Sequence, residues 1–336
     1  MGIPLRMPSP RSEQRAQTRW QHLDFGRSSD RLGCSLTHKP ESDRMRLPIA
    51  VCWAAAVLTC AVPGLLAETD LKELAKAPPG QKLSYGSDPL QFGELSLPDG
   101  PGPHPVVINI HGGCWLAEYT IDHSRALANA FAKRGIAVWN LEYRRVGDSG
   151  GGWPGTFLDI GNGADHLKLL AKDHPLDLSR VVAMGHSAGG HFALWLAARK
   201  KIPAGAEVQS GDPIVVKGVL ALAPAPELDA LHEKGVCGNV IDKLMGGAPV
   251  EHADRYRHAM PSAMAPIGVR QTILIGKRDS SWRWVGEAYA EKARAAGDDQ
   301  VELILAPEAG HFEVIDPASS TWPLVIKSAE ALLSAK

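Results

Sequence analysis

The chain has 336 residues, 44% of them hydrophobic and 22% charged, with a formal net charge of −1. This is the composition of a globular protein with enough apolar material for a substantial core, which excludes disorder over most of its length. It also excludes a polyanionic partner, because nucleic acid binding requires a concentrated excess of Lys and Arg.

The charge is unevenly spread, with nine Lys/Arg and five Asp/Glu up to Leu47 against 27 and 32 beyond it. No charge occurs from Leu47 to Ala67, an apolar stretch that follows Arg44-Met45-Arg46 and ends in Pro63-Gly64-Leu65-Leu66-Ala67. A basic start, an apolar run, a helix break and a small residue follow in the order of a secretory leader. We therefore read residues 45–67 as a signal peptide, with translation starting at Met45 and cleavage before Glu68. Residues 1–44 are then a spurious or disordered extension. The uncharged run is also about long enough to span a bilayer. An uncleaved signal anchor is thus the alternative, and a membrane is a partner only in that case. A lipidated Cys60 fits less well, because Thr59 precedes it where Gly, Ala or Ser is expected. The expected location is outside the cytoplasm, either periplasmic or secreted.

Cys34, Cys52 and Cys60 would leave with the leader, so Cys114 and Cys237 remain. Neither has the CxxC or Cys/His spacing of a metal site. A bridge between them is conceivable in an oxidising compartment, but nothing in the sequence brings them together, and we expect two buried free thiols.

Beyond Leu71, apolar runs alternate with helical periodicities in βαβα order, which predicts an α/β domain over residues 68–336 with a mostly parallel sheet covered on both faces. Val106 to Ile110 is the first clear buried strand. Helical spacing follows from Ala126 to Arg134, stopped by Gly135 before a strand over residues 136–141. A helix over 158–173 leads into a strand at Val181 to Met184, and another helix follows Ser187 as far as about Lys200. The remaining core strands are expected at 215–222, 272–275 and 301–305. The glycine-dense run 147–155 lacks the Gly-Lys-Ser/Thr ending of a phosphate loop and is expected to be a mobile connection. Residues 224–267, irregular and containing Pro, Gly and His, are expected to form a lid between two core strands.

A serine hydroxyl is a poor nucleophile at neutral pH, so acyl transfer needs a base, a group that orients the base, and donors for the oxyanion. Gly185-His186-Ser187-Ala188-Gly189 lies between a predicted strand and a predicted helix, where flanking glycines permit the tight turn that lifts a nucleophile above a sheet. His111-Gly112-Gly113-Cys114-Trp115 follows another strand and offers backbone N–H groups, joined by that of Ala188, as an oxyanion hole. His111 is expected to brace this loop. Asp279 and His311 occupy the loops after the next strands and are the candidate orienting acid and base. Glu313 and Asp316 follow His311 too closely, and Glu227 or Asp229 serve only if the acid has moved to the preceding strand. His186 and His191 are read as packed neighbours of the elbow. Of Trp115, Trp153, Trp282 and Trp284, Trp115 is the expected substrate contact.

Together, the runs HGGCW, GHSAGGHFALW and AGHFEVIDP make the chain resemble α/β hydrolases of the esterase and kynurenine-formamidase-like group, over roughly residues 80–335. The resemblance implies the α/β-hydrolase fold and a triad of Ser187, Asp279 and His311. It also implies an oxyanion hole around Gly112, Gly113, Cys114 and Ala188. It further implies cleavage of esters or N-formyl amides without a metal or organic cofactor. The chain departs from the group at Cys114, where glycine or another small residue is usual, and in its leader, since kynurenine formamidases act on a cytoplasmic metabolite. The leader favours an ester over a formamide. The expected function is therefore a serine hydrolase acting on a small carboxylic ester, with an arylformamidase or a binding protein on a hydrolase fold as alternatives.

Overall fold

The computed structural model describes residues 69–334. The expected extension, signal peptide and cleavage point, with Cys34, Cys52 and Cys60, lie outside the described residues.

Strands β1 (Gln81–Ser84), β2 (Phe92–Ser96), β3 (His104–Ile110), β4 (Ala137–Leu141), β5 (Leu176–His186), β6 (Gly218–Leu222), β7 (Arg270–Gly276) and β8 (Val301–Ala306) form one sheet. Its order is β1-β2-β4-β3-β5-β6-β7-β8. The pairs from β4 to β8 are parallel, while β1 and β2 add antiparallel strands at one edge. Successive side chains on a strand point to opposite faces, so an apolar run feeds two cores at once. Val106, Ile108 and Ile110 enter one core and Val107 the other, as do Val181 and Ala183 against Val182 and Met184.

The first core is closed by α3 (Gly155–Asp165), α5 (Ala188–Ala198) and α9 (Arg283–Ala295), which contribute Phe157, Phe192, Trp195, Val285 and Tyr289. The second is closed by α1 (Leu71–Leu74), α2 (Arg125–Ala132) and α10 (Trp322–Leu333), through Leu74, Leu127, Phe131, Val325 and Leu332. Each such side chain taken fully out of water contributes about 1.5–3 kcal/mol.

The structure corrects several sequence expectations. Strands β1 and β2 were not anticipated. β1 has little burial to give it a pattern, and β2 carries Glu94 toward the interior, where Arg125 Nη2 donates to its carboxylate at 2.6 Å. The strand expected from residue 215 begins only at Gly218, because Val215 is exposed. The helix expected over 158–173 divides at His166 into α3 and a short turn, α4 (Leu167–Leu170). The run 147–155 is a packed connection. A Cβ on Gly151 would meet the Arg145 carbonyl oxygen at 1.9 Å, and the Trp153 N–H donates to Leu244 O at 2.7 Å. Its glycines serve backbone crowding there.

Between β6 and β7, where a lid is expected, the chain forms α6 (Leu228–Glu233), α7 (Val236–Met245) and α8 (Ala253–Ala259). This segment seats on α5 through polar tips. Trp195 Nε1 donates to His258 O and His191 Nε2 to Ala259 O, both at 2.8 Å. Helix α5 is consequently buried on every side.

Candidate active site

Ser187 stands at the junction of β5 and α5 with φ 55° and ψ −117°, a conformation in which a non-glycine residue is strained. Such a turn persists because the surroundings leave no alternative. A Cβ on Gly185 would meet Gly189 O at 2.2 Å, and one on Gly189 would meet Ile110 O at 2.0 Å. The Ser187 N–H is tied to Leu222 O at 2.9 Å and its carbonyl accepts the Ala225 N–H at 3.2 Å, so the neighbouring strand end clamps the turn. Ser187 is 5% exposed.

The loop after β3 presses against this turn. A Cβ on Gly112 would lie 2.7 Å from His186 O and 3.1 Å from Ser187 Cβ, so only glycine lets the two backbones approach this closely. Gly113 follows at φ 114°, and Cys114 and Trp115 adopt φ 52° and 57°. Among the described residues, the N–H groups of Gly112, Gly113, Cys114, Trp115 and Ala188 have no hydrogen-bond acceptor. Unsatisfied donors beside a strained serine are the kind of group that can receive a negatively charged oxygen.

Loops after β7 and β8 bring Asp279 and His311 together. His311 Nδ1 donates to Asp279 Oδ2 at 2.6 Å, and Asp279 Oδ1 accepts the Trp282 N–H at 3.0 Å. This leaves His311 Nε2 as the free face of the ring. Next to Ser187, His186 Nε2 donates to His311 O at 2.9 Å, and the two imidazoles lie 4.7 Å apart, which fastens the His311 loop to the elbow. The Ser187 hydroxyl makes no hydrogen bond among the described residues. Serine-to-base contacts are often long in unliganded sites and tighten with substrate.

The other carboxylates considered for this role are engaged elsewhere. Glu227 accepts from Lys292 Nζ at 2.6 Å and Ser262 Oγ at 3.1 Å, and burial pushes its carboxyl above the usual range. Glu313 accepts from the N–H groups of Thr69 and Gly310, Asp316 from Thr69 Oγ1 and the Ala318 N–H, and Asp229 from the Ala230 N–H. His186 and His191 are buried, and desolvation lowers both rings, His186 well below its ordinary value and His191 to about 4.

One expectation is overturned, and a second finds no support in the geometry. Cys114 and Cys237 are joined as a disulfide with Cα atoms 6.3 Å apart, because the segment after β6 folds back over the loop after β3. Trp115 is only 1% exposed, and its indole N–H points at His191 Nδ1 at 3.4 Å, so its ring belongs to the core. Beside the candidate base stands Trp282, partly exposed and stacked on His311 with centroids 5.6 Å apart.

Glu142, just after β4, is a residue bracing the site that sequence reasoning missed. Its Oε1 faces His111 Nε2 at 2.9 Å and Arg145 Nη1 at 3.0 Å, and its carboxylate accepts the N–H groups of Ile121 and Tyr143. His111 Nδ1 lies 2.8 Å from Gly112 O, so the ring links Glu142 to the loop after β3. Burial works to raise the Glu142 carboxyl, but the His111 ring and the Arg145 guanidinium outweigh it and hold it below the usual carboxylate range. The sequence signal, a lone Glu before Tyr143-Arg144-Arg145, does not distinguish it from a solvated charge.

Comparisons with known proteins fit this geometry. Esterase B from Lactobacillus rhamnosis superposes with a TM-score of 0.64 at 23% identity, covering 78% of this chain and 91% of that one. A truncated carbohydrate esterase from gut microbiota superposes with a TM-score of 0.64 at 17% identity, covering 76% and 95%. These likenesses establish the α/β-hydrolase fold. Among curated sequences, esterase LipC of Mycobacterium tuberculosis is 23% identical over 71% of this chain and 61% of its own length. Human acyl-coenzyme A thioesterase 1 is 28% identical over 72% and 55%. The chain thus spans little more than half the length of these curated relatives. The sequence model of the BD-FAE family matches residues 95–281, more than half of the chain, which therefore belongs to the BD-FAE family of α/β hydrolases.

Proposed function

We propose that the protein is a serine hydrolase that cleaves carboxylic esters through an acyl-enzyme, working outside the cytoplasm. The observation that carries this reading is the convergence of a strained Ser187, the His311–Asp279 hydrogen bond and unsatisfied backbone donors, those of Gly113, Cys114 and Ala188 among them, at the carboxyl ends of neighbouring strands. In this reading His311 Nε2 takes the proton as Ser187 Oγ attacks the acyl carbon, while Asp279 holds the tautomer and supports the imidazolium. The developing oxyanion is met by the N–H groups of Gly113, Cys114 and Ala188. His311 returns the proton to the departing alcohol, and water then releases the acid by the same steps in reverse.

The names of the relatives, esterases and a thioesterase, support an oxygen or sulfur ester over an N-formyl amide. Export is supported by the leader-like run over residues 45–67 and by the disulfide, a linkage characteristic of oxidising compartments. Ser187→Ala is expected to abolish both fluorophosphonate labelling and turnover of p-nitrophenyl acetate while leaving the unfolding midpoint unchanged. Full turnover in that variant would refute the mechanism.

A further inference from the structure

The Cys114–Cys237 bond joins two points that are 123 residues apart in sequence and unusual in backbone conformation. Cys114 sits in the loop that presents the unsatisfied donors. Its flanks are held independently. Upstream, His111 is fixed by Glu142. Downstream, Ala117 donates to Val146 O and Val146 to Trp115 O, at 3.0 and 2.8 Å. Between these braces the segment Gly113-Cys114 is partly exposed, and among the described residues the disulfide is the tie on the Cys114 side chain itself.

At the other end, Cys237, Gly238 and Asn239 take left-handed conformations in succession, with φ 48°, 71° and 60°, before α7 continues as an ordinary helix. Left-handed backbone is unfavourable for a non-glycine residue and persists only where something holds it. A second anchor holds the same turn. Lys234 Nζ lies 4.8 Å from the centre of the Trp284 ring, two residues beyond the indole that stacks on His311. The turn at 234–239 thus reaches from the base side of the site to the oxyanion side.

From this placement we infer that Cys237 is a positioning residue for ester hydrolysis: through its bond to Cys114 it holds the Cys114 N–H at the oxyanion position. The inference rests on the serine-hydrolase reading above. It makes the second wall of the oxyanion hole a property of the segment after β6, and it makes turnover depend on the oxidation state of one bond. Reduction by a phosphine consumes one water, whose protons complete two thiols and whose oxygen ends on the phosphine oxide, and leaves every hydrogen bond of the Glu142 brace in place.

The test compares oxidised wild type, phosphine-reduced wild type, Cys237→Ser and Ser187→Ala on p-nitrophenyl acetate, well below the melting temperature of each. Peptide mass spectrometry without reductant first checks the pairing, and free Cys114 and Cys237 thiols in the purified protein would overturn the inference. Reduction and Cys237→Ser are each expected to lower kcat about 100-fold, with KM within about threefold. Affinity for a phenylboronic acid, whose adduct is tetrahedral, should fall in parallel. Reoxidation should rescue wild type but not Cys237→Ser. Unchanged kcat, or an effect confined to KM or to melting temperature, overturns the positioning role while an inactive Ser187→Ala leaves the hydrolase reading standing. An active Ser187→Ala overturns the hydrolase reading itself.

Discussion

His311 Nδ1 and Asp279 Oδ2 are 2.6 Å apart, and the second oxygen of Asp279 is occupied by the Trp282 N–H, so the carboxylate is fixed in plane and aimed at the imidazole. A charged acceptor in this position dictates which ring nitrogen carries the proton. Asp279→Asn keeps the size and removes the charge, and an amide can turn its NH₂ toward the ring and impose the wrong tautomer. We expect kcat on p-nitrophenyl acetate to fall by about 10⁴ with little change in KM. A loss of less than tenfold would mean that another group orients His311.

Glu142 pairs with the buried Arg145 guanidinium and the His111 ring and holds the loop that carries Gly112. Removing one partner of a buried ion pair leaves the other uncompensated. Glu142→Ala is therefore expected to cost about 3–5 kcal/mol in urea unfolding, and Glu142→Gln less. The two variants should also lower kcat, since the loop they loosen carries the proposed oxyanion donors. An unfolding midpoint equal to wild type for Glu142→Ala would contradict this account.

The two tryptophans should separate stability from turnover. Trp115→Ala empties a core position and is expected to destabilise by about 3–5 kcal/mol. Trp282→Ala removes a partly exposed ring stacked on His311, and its cost in stability should be about 1 kcal/mol. Its main effect should appear as roughly a tenfold loss of kcat/KM. The reverse pattern would return the substrate contact to Trp115.

Stability should fall on acidification before the carboxylates protonate. Desolvation by burial lowers His123 to about 3 and His191 to about 4, and lowers His186 well below its ordinary value. Between the folded and unfolded values of such a ring, only the unfolded chain binds the proton, so stability rises with pH across that window. The contribution is complete above about pH 6.5 and is lost toward about pH 4, at about 1 kcal/mol per pH unit for each histidine. The lowered Glu142 carboxyl acts in the same direction at lower pH, and the raised Glu227 carboxyl acts oppositely as pH rises past its ordinary range. Urea midpoints measured from about pH 7.5 down to about 4.5 should show the decline, and His191→Gln should make it shallower. A flat profile over that span would show that these rings are hydrated.

What the sequence determined by itself was the order of parts. Apolar runs of strand length alternating with helical spacing dictate a covered parallel sheet, because such runs have nowhere else to bury both faces. Glycines around Ser187 and after Ile110 mark close backbone approaches, since a local steric requirement leaves a local residue signature. The placement of Asp279 and His311 after successive strands follows from the same punctuation. Tertiary structure alone decided the pairing of Cys114 with Cys237, the burial of Trp115, the stacking of Trp282 on His311 and the gathering of His111 and Arg145 on Glu142. Most of these relationships join residues from different strands and their loops. The sheet order β4-β3-β5-β6-β7-β8 sets the distances between those loops, and that order arises from crossovers that leave no mark on the residues they bring together.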